Sequence, residues 1–387
     1  MAVTTIDARA VADGRAGCDT VIDVRSPAEF AADHLPGAVN WPVLDDRERR
    51  LVGTVYKQIS AHEARKVGAA LVARNVAAHL ERWVADRPRD WRPLVYCWRG
   101  GQRSGSLAWF LGQIGFRTQQ LAGGYKAFRA VVRDDLERLP AALTLHVLCG
   151  RTGCAKTRLL QALGDAGAQV LDLEALACHR GSVLGALPDH AQPTQKRFDT
   201  LLWQALREID PARPVFVESE SRKIGALQLP DALVERMREH GRCVEVALAD
   251  DERVALLLED YAFFTRDAER FCRRLDALVP LAGRETVHGW QAAARAGRWG
   301  EVFADLMRRH YDPLYERSMA RHFAGRDEAP RLTLAGRGPD ALAQAARRLL
   351  ADLDASASWG PPPARRQFGL DTAQAPATPH VAGSRAR

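Results

Sequence analysis

Cys97-Trp98-Arg99-Gly100-Gly101-Gln102-Arg103-Ser104 decides the reading of the first third of this 387-residue chain. An apolar run, Pro93 to Tyr96, leads into it and reads as a short buried strand. From Ser104 a helical pattern begins, with Leu107, Trp109, Phe110, Leu111 and Ile114 on or near one face. The cysteine is therefore predicted at the C-terminal tip of a strand, with a tight loop returning into a helix N-terminus. Two glycines let that loop curl with its amide hydrogens inward. Those amides, the helix dipole, Arg99 and Arg103 make a cradle for an anion. Such a field favours thiolate, the reactive form of cysteine. The stretch reads as a nucleophile site for an anionic, tetrahedral or sulfur-like group, in preference to a structural cysteine beside a Gly-Gly turn.

A second cradle follows. Leu143 to Cys149 is a buried-strand pattern that runs into Gly150-Arg151-Thr152-Gly153-Cys154-Ala155-Lys156-Thr157. This matches a P-loop except that Ala155 replaces the usual glycine before the lysine. The chemistry asks for amides around a di- or triphosphate, a lysine on the outer phosphate and a hydroxyl for magnesium. Lys156 and Thr157 fill the last two roles. Ala155 is tolerable if its position does not need positive φ. Leu159, Leu160 and Leu163 give the next helix its apolar face. Strand-like Ala168 to Leu173 ends at Asp172 and Glu174, and Val215 to Arg222 is a second strand ending in acids. Asp172 or Glu218 suits the metal-holding part, if magnesium binds, or is a plain polar strand end. His179, Arg180, Ser219, Glu220 and Arg222 are candidates for a supporting shell. Alternating strands and helices predict a doubly wound sheet with ligands at the strand C-termini.

Composition sets bounds. The chain carries a formal charge of +7, and only six of its 55 basic residues are lysine. That permits an RNA partner without demonstrating one. Seven cysteines without a CxxC spacing argue against a disulfide framework or a zinc site. No apolar run is long enough to span a bilayer and no leader pattern stands at the N-terminus, so a reduced, cytoplasmic setting without membrane contact is expected. In the first segment, Asp23 and Arg25 close a strand at Thr20 to Arg25 and read as a structural ion pair. Residues 61 to 86 read as one or two covering helices. From Asp251 to about residue 325 the pattern is helical, with aromatics and arginines, and His310 to Pro313 reads as a turn. A last strand and helix are placed within 331 to 353. The predicted architecture is α/β: a parallel-sheet domain over 5–139, a P-loop domain over 140–355, and a disordered basic tail over 356–387.

Asp23-Val-Arg-Ser-Pro-Ala-Glu-Phe30, then His34-Leu-Pro-Gly-Ala-Val-Asn40, then the Cys97 loop, resemble a rhodanese domain. That resemblance implies a parallel α/β sheet and a cysteine that carries sulfur or selenium. The loop is Cys-x5-Arg, one residue longer than in many small rhodaneses and like that of dual-specificity phosphatases. A cysteine-dependent phosphatase or sulfurtransferase with a regulatory nucleotide-binding domain therefore stays open. Tyr96, where tyrosine-phosphatase loops carry histidine, counts against the phosphatase. Taken with the P-loop, Asp172 to Glu174, His179 to Ser182, Glu218 to Gly225 and His310 to Pro313, the chain resembles the tRNA 2-selenouridine synthase family over about residues 5 to 350. The resemblance implies replacement of sulfur by selenium in 2-thiouridine at the tRNA wobble position. Selenophosphate is the implied donor, and a geranylated intermediate made from geranyl diphosphate is implied as well. It implies Cys97 as the catalytic residue and no tightly bound cofactor. Trp98, Arg99, Gly100, Gly101, Gln102, Arg103 and Ser104 would surround the donor, and Gly150 to Thr157 the diphosphate. A selenophosphate-producing enzyme is a compatible partner.

Overall fold

The first domain is a parallel sheet built from short strands of three or four residues. These are β1 (Thr4–Ile6), β2 (Thr20–Asp23), β3 (Ala38–Asn40), β4 (Pro93–Tyr96) and β5 (Gln119–Leu121). In this computed structural model, which describes residues 2–188, 190–322 and 329–355, they lie in the order β1-β5-β4-β2-β3 with every pairing parallel. Strand β4 is central and buried at all four positions, as a sheet covered on both faces requires. Cys97 follows it directly. Two antiparallel helices, Asp46–Gln58 and Ala61–Trp83, cover one side. Each starts at a side-chain cap, Asp45 or Ser60.

The second domain has β6 (Leu145–Cys149), β7 (Gln169–Leu171), β8 (Val215–Glu218), a small antiparallel hairpin of β9 (Lys223–Ile224) with β10 (Leu227–Gln228), then β11 (Arg242–Ala247) and β12 (Arg331–Thr333). Its sheet runs β12-β11-β6-β8-β7 and is also wholly parallel. Helices fill residues 250 to 322. Here the structure corrects one expectation. His310 to Pro313 is not a turn. Met307–Tyr311 is a π-helical segment that runs straight into the Asp312–His322 helix. Such bulges insert a residue without stopping the helix, so a proline two places beyond it sits harmlessly in the next first turn. The expected tail, 356–387, lies outside the described residues. Among the described residues no helix is long and apolar enough to cross a membrane.

The two domains share a core. Phe128 meets Trp203 edge to face at 5.4 Å. Asp33, fully buried, accepts from the Tyr125 hydroxyl at 2.8 Å and the Thr200 hydroxyl at 2.9 Å. Asp135 accepts from Trp203 at 2.9 Å and from Arg9 at 2.7 and 2.8 Å. Tyr125 and Asp135 belong to the Gly124–Arg138 helix behind the Cys97 loop, and Thr200 and Trp203 to the Gln195–Glu208 helix of the second domain.

Candidate active site

The Cys97 loop is held open by backbone packing that only glycine allows. Gly100 has φ +67, and a β-carbon there would meet the Leu121 carbonyl at 2.5 Å. Gly124 has φ +57, and its β-carbon would meet the Cys97 carbonyl. The loop thus lies on the N-terminus of the Gly124–Arg138 helix, whose Tyr125 and Lys126 amides donate to the Cys97 and Trp98 carbonyls at 2.8 and 3.0 Å. Gly101 precedes the Gln102–Ile114 helix, so Cys97 faces that helix's positive end. The thiol is 4 % exposed, and the Ser104 hydroxyl donates to its sulfur at 3.2 Å. Gln120 donates to Ser104 and to the Gly100 carbonyl, both at 2.8 Å, and so fixes the hydroxyl. Nothing in the local loop pattern pointed to Gln120, which reaches in from β5.

The loop's cations divide. Arg99 is exposed to solvent. Arg103 donates to Glu29 at 2.8 Å, so one of the loop's two guanidinium groups is already paired. A longer Cys-x5-Arg loop of phosphatase type needs that arginine facing the anion, and here Glu29 draws it aside. Trp98 packs on Tyr125 at 5.3 Å, with the Lys196 ammonium 5.5 Å from its ring. Beneath the loop, Asp23 and Arg25 form the expected ion pair, both fully buried, at 2.6 Å. Tyr96 donates to Asp23 at 2.7 Å and Arg25 lies 3.9 Å from the Tyr125 ring. This block is a rigid floor under Cys97.

The second site lies at the C-terminal edge of β6. Gly150 and Gly153 have φ +153 and +77, and so does the one departure from the P-loop pattern: Ala155 adopts φ +64, ψ 25. The position does require the left-handed region, and alanine holds it at a cost of about 1–2 kcal/mol. Burial of Ala155 among Leu159, Leu160 and Val246 supports the strain. Lys156 donates to the Gly150 carbonyl at 2.6 Å and lies 5.9 Å from the Tyr315 ring. Burial works against its charge, but Cys154 and the carboxylates Glu174, Glu220 and Glu218 outweigh it and hold the ammonium protonated. Arg151 turns its side chain out of the cradle, to Asp312 at 3.3 Å and Asp250 at 3.6 Å.

Strand order decides between the two acids. β8 is the neighbour of β6, and Leu148 pairs with Glu218, so Glu218 stands beside the loop. β7 lies one strand further out, and Asp172 caps the Leu173–Ala177 helix by accepting from the Ala175 amide at 2.8 Å. Glu218 is buried, neither of its oxygens has a hydrogen-bond partner among the described residues, and burial followed by the charge of Glu174 pushes its pKa well up. Glu174, whose place in this cluster was missed, accepts from Thr157 at 3.2 Å. Burial and then Glu174 raise Glu220 also. Gly181 packs its backbone against both Glu174 and Glu220. Among the described residues no three acids, histidines or cysteines gather in metal-binding geometry. Thr157 and Glu218 nevertheless fit a magnesium ion, which takes one or two protein oxygens and completes its shell from substrate phosphates and water.

Of the supporting candidates, Arg180 lines the cleft and donates to the Asp260 carbonyl at 2.6 Å. Ser219 and Glu220 line it as well. His179 is buried, and burial followed by Arg274 lowers its pKa, so it is neutral. Arg222 points away, to Asp231 at 3.2 Å on the surface. The cleft measures about 440 Å³ and its far wall, unforeseen, is aromatic: Tyr261, Tyr311 and Tyr315 from the helical region. That wall is tied to the loop by Arg253, which donates to the Thr152 carbonyl and to Asp312.

A cysteine loop on a rhodanese-type sheet, joined through a shared core to a P-loop cleft roofed by helices, defines a two-domain protein with a separate glycine-rich loop at a helix N-terminus in each half. The two halves match family models for a rhodanese-like domain, residues 7–131, and a tRNA 2-selenouridine synthase AAA domain, residues 143–282. The tRNA 2-selenouridine synthase of Alcanivorax borkumensis is 38% identical over 67% of this chain and 72% of its own length. Those of Nitrosomonas europaea (37%; 68% of each chain) and Chromohalobacter salexigens (36%; 76% of this chain, 86% of its own) are similar. The chain belongs to the tRNA 2-selenouridine synthase family.

Proposed function

We propose that this protein replaces the sulfur of 2-thiouridine at the tRNA wobble position with selenium, using selenophosphate, by way of a geranylated intermediate formed from geranyl diphosphate. The observation that carries the reading is the pairing in one chain of the Ser104-supported Cys97 sulfur with a separate phosphate cradle walled by tyrosines. In the P-loop cleft, Lys156 and the loop amides hold the diphosphate of the prenyl donor. The tyrosine wall offers apolar surface to its chain. The thiocarbonyl sulfur of the base forms a bond to the first prenyl carbon, and the N3 proton of the base passes to water. The carbon–oxygen bond breaks with its electron pair on diphosphate, whose charge Lys156 balances. Magnesium, when bound at Thr157 and Glu218, would add charge on the same diphosphate.

In the Cys97 cradle, the amides at the start of the Gln102–Ile114 helix and Arg99 hold the phosphate of selenophosphate. Water takes the phosphorus, and the phosphorus–selenium bond breaks with its electron pair on selenium. The selenide forms a bond to C2 of the geranylated base beside Cys97, and the carbon–sulfur bond breaks with its pair on geranylthiolate. Ser104 stabilises negative charge on the Cys97 sulfur. The test is mass spectrometry of nucleosides from 2-thiouridine tRNA incubated with the purified protein, selenophosphate and geranyl diphosphate. Selenouridine is the expected product. Cys97-dependent release of phosphate from phenolic phosphate esters, with tRNA unchanged, would replace this reading by the phosphatase.

A further inference from the structure

The first domain carries a second opening that neither cradle uses. It is a cleft of about 880 Å³ between the helices Asp46–Gln58 and Ala61–Trp83 and the outer face of Gln102–Ile114. Its floor is small and apolar. Its rim carries Arg49, Arg65 and Arg103, and its walls Tyr56, Trp109 and Phe110, which are 63, 55 and 37 % exposed. Among the described residues no acidic side chain lines it, although Glu29 pairs with Arg103 at 2.8 Å and with Arg49 at 3.8 Å. The Asp46–Gln58 helix buries none of its residues, although it carries Leu51 and Tyr56 and is followed at once by the exposed Ile59. The cleft also begins where the Cys97 loop ends, since Gln102 and Arg103 belong to both.

Exposed aromatic faces between arginines are the chemistry of single-stranded RNA recognition. Unpaired bases stack on rings, and guanidinium groups hold the backbone phosphates. A base presented to Cys97 brings its neighbours within one or two nucleotides of this cleft. We infer that the cleft binds the unpaired nucleotides flanking the target base, with Trp109, Phe110 and Tyr56 as stacking platforms and Arg49 and Arg65 on the phosphates. This rests on the reading that the substrate base belongs to tRNA. A purely apolar occupant would leave the arginines without a role.

The test is a titration of fluorescent anticodon stem-loop RNA onto the full-length protein across a salt series, with a blunt RNA duplex for comparison. Trp109→Ala should weaken stem-loop binding at least about fivefold through the loss of one stacked base. Arg65→Glu should weaken it and flatten the salt dependence by about 0.7 in log–log slope for the phosphate contact removed. Arg308→Glu, on an exposed face of the helical region, should bind as the parent does. All three positions are exposed, and unchanged melting temperatures will show that the variants are folded. Equal stem-loop affinity for the parent, Trp109→Ala and Arg65→Glu overturns the inference and leaves the cleft to a prenyl chain or another protein surface. A parent protein that binds neither RNA overturns the tRNA reading itself.

Discussion

Arg253 Nη2 lies 2.6 Å from Asp312 Oδ1, and the same nitrogen donates to the Thr152 carbonyl at 2.7 Å. The guanidinium is 1 % exposed, so one buried cation joins the P-loop to the helix that carries Tyr311 and Tyr315. Its other arm reaches Asp250 at 2.8 Å. Distant segments of sequence are in this way made one wall of the cleft.

Asp312→Ala leaves that buried charge without its best partner, a loss of about 3–5 kcal/mol for pairs of this kind. The expected result is a lower melting temperature and weaker diphosphate binding, read by calorimetry. Arg253→Met, which removes the charge and keeps the bulk, should be the milder change in stability. If Asp312→Ala melts as the parent does, the clamp does not hold the helical wall.

Ala155 is the backbone anomaly of the P-loop. Ala155→Gly removes strain but also a buried methyl and some unfolded-state restriction, so the three terms nearly cancel and stability should stay within about 1 kcal/mol. Ala155→Val puts a β-branched side chain at φ +64, and should cost about 1–3 kcal/mol. Denaturant titration of the three proteins gives the order. A valine variant as stable as the parent would mean that the loop relaxes to negative φ.

Acid should loosen the domain interface through Asp135. Burial pushes its carboxyl up, but hydrogen bonds from Trp203, Arg9 and Arg138 outweigh it and hold the pKa at about 2, below the ordinary 3.8. A carboxyl lowered on folding stabilises above its unfolded pKa and loses that contribution as pH falls toward the folded value. The interface should therefore weaken between about pH 4 and 2. Asp135→Asn should remove that part of the acid dependence and lower stability at neutral pH by about 1.5–3 kcal/mol, the worth of charged hydrogen bonds. Melting curves against pH for parent and variant compare the two; parallel curves down to pH 2 would rule out Asp135 as the group.

Both cradles were legible in the sequence because each is contiguous. Strand, glycine turn and helix follow one another within a dozen residues at Cys97 and again at Lys156, and local pattern captures such units. The partners were not legible, because they arrive through the sheet. Glu29 is 74 residues from Arg103, and Asp312 is 161 from Arg151. Each withdraws an arginine that the local pattern had aimed at an anion. The choice between Asp172 and Glu218 turned on which strand lies next to β6, a fact of topology that neither segment carries alone. The need for positive φ at Ala155 was posed as a condition by the sequence and answered only by the backbone.

The last prediction separates the two cradles. They lie in different sheets, and each has its own cationic groups, so their steps should come apart by mutation. Lys156→Ala removes the ammonium proposed to hold the prenyl diphosphate. A charge-assisted contact of that kind is worth about 1.5–3 kcal/mol, so geranyl transfer should fall about tenfold or more. Cys97→Ala keeps the P-loop cleft whole, and its floor of Asp23, Arg25 and Tyr96 does not depend on the thiol. Geranylated tRNA should then form and accumulate without selenium. Cys18→Ala, Cys243→Ala and Cys272→Ala should retain selenation, since none of these thiols stands in an anion cradle. Chromatography and mass spectrometry of the nucleosides made by each variant read all these outcomes together. Geranylated product from Lys156→Ala at the parent's rate would detach Lys156 from the prenyl step. Its absence from a folded Cys97→Ala protein would show that the thiol acts before, and not after, prenylation.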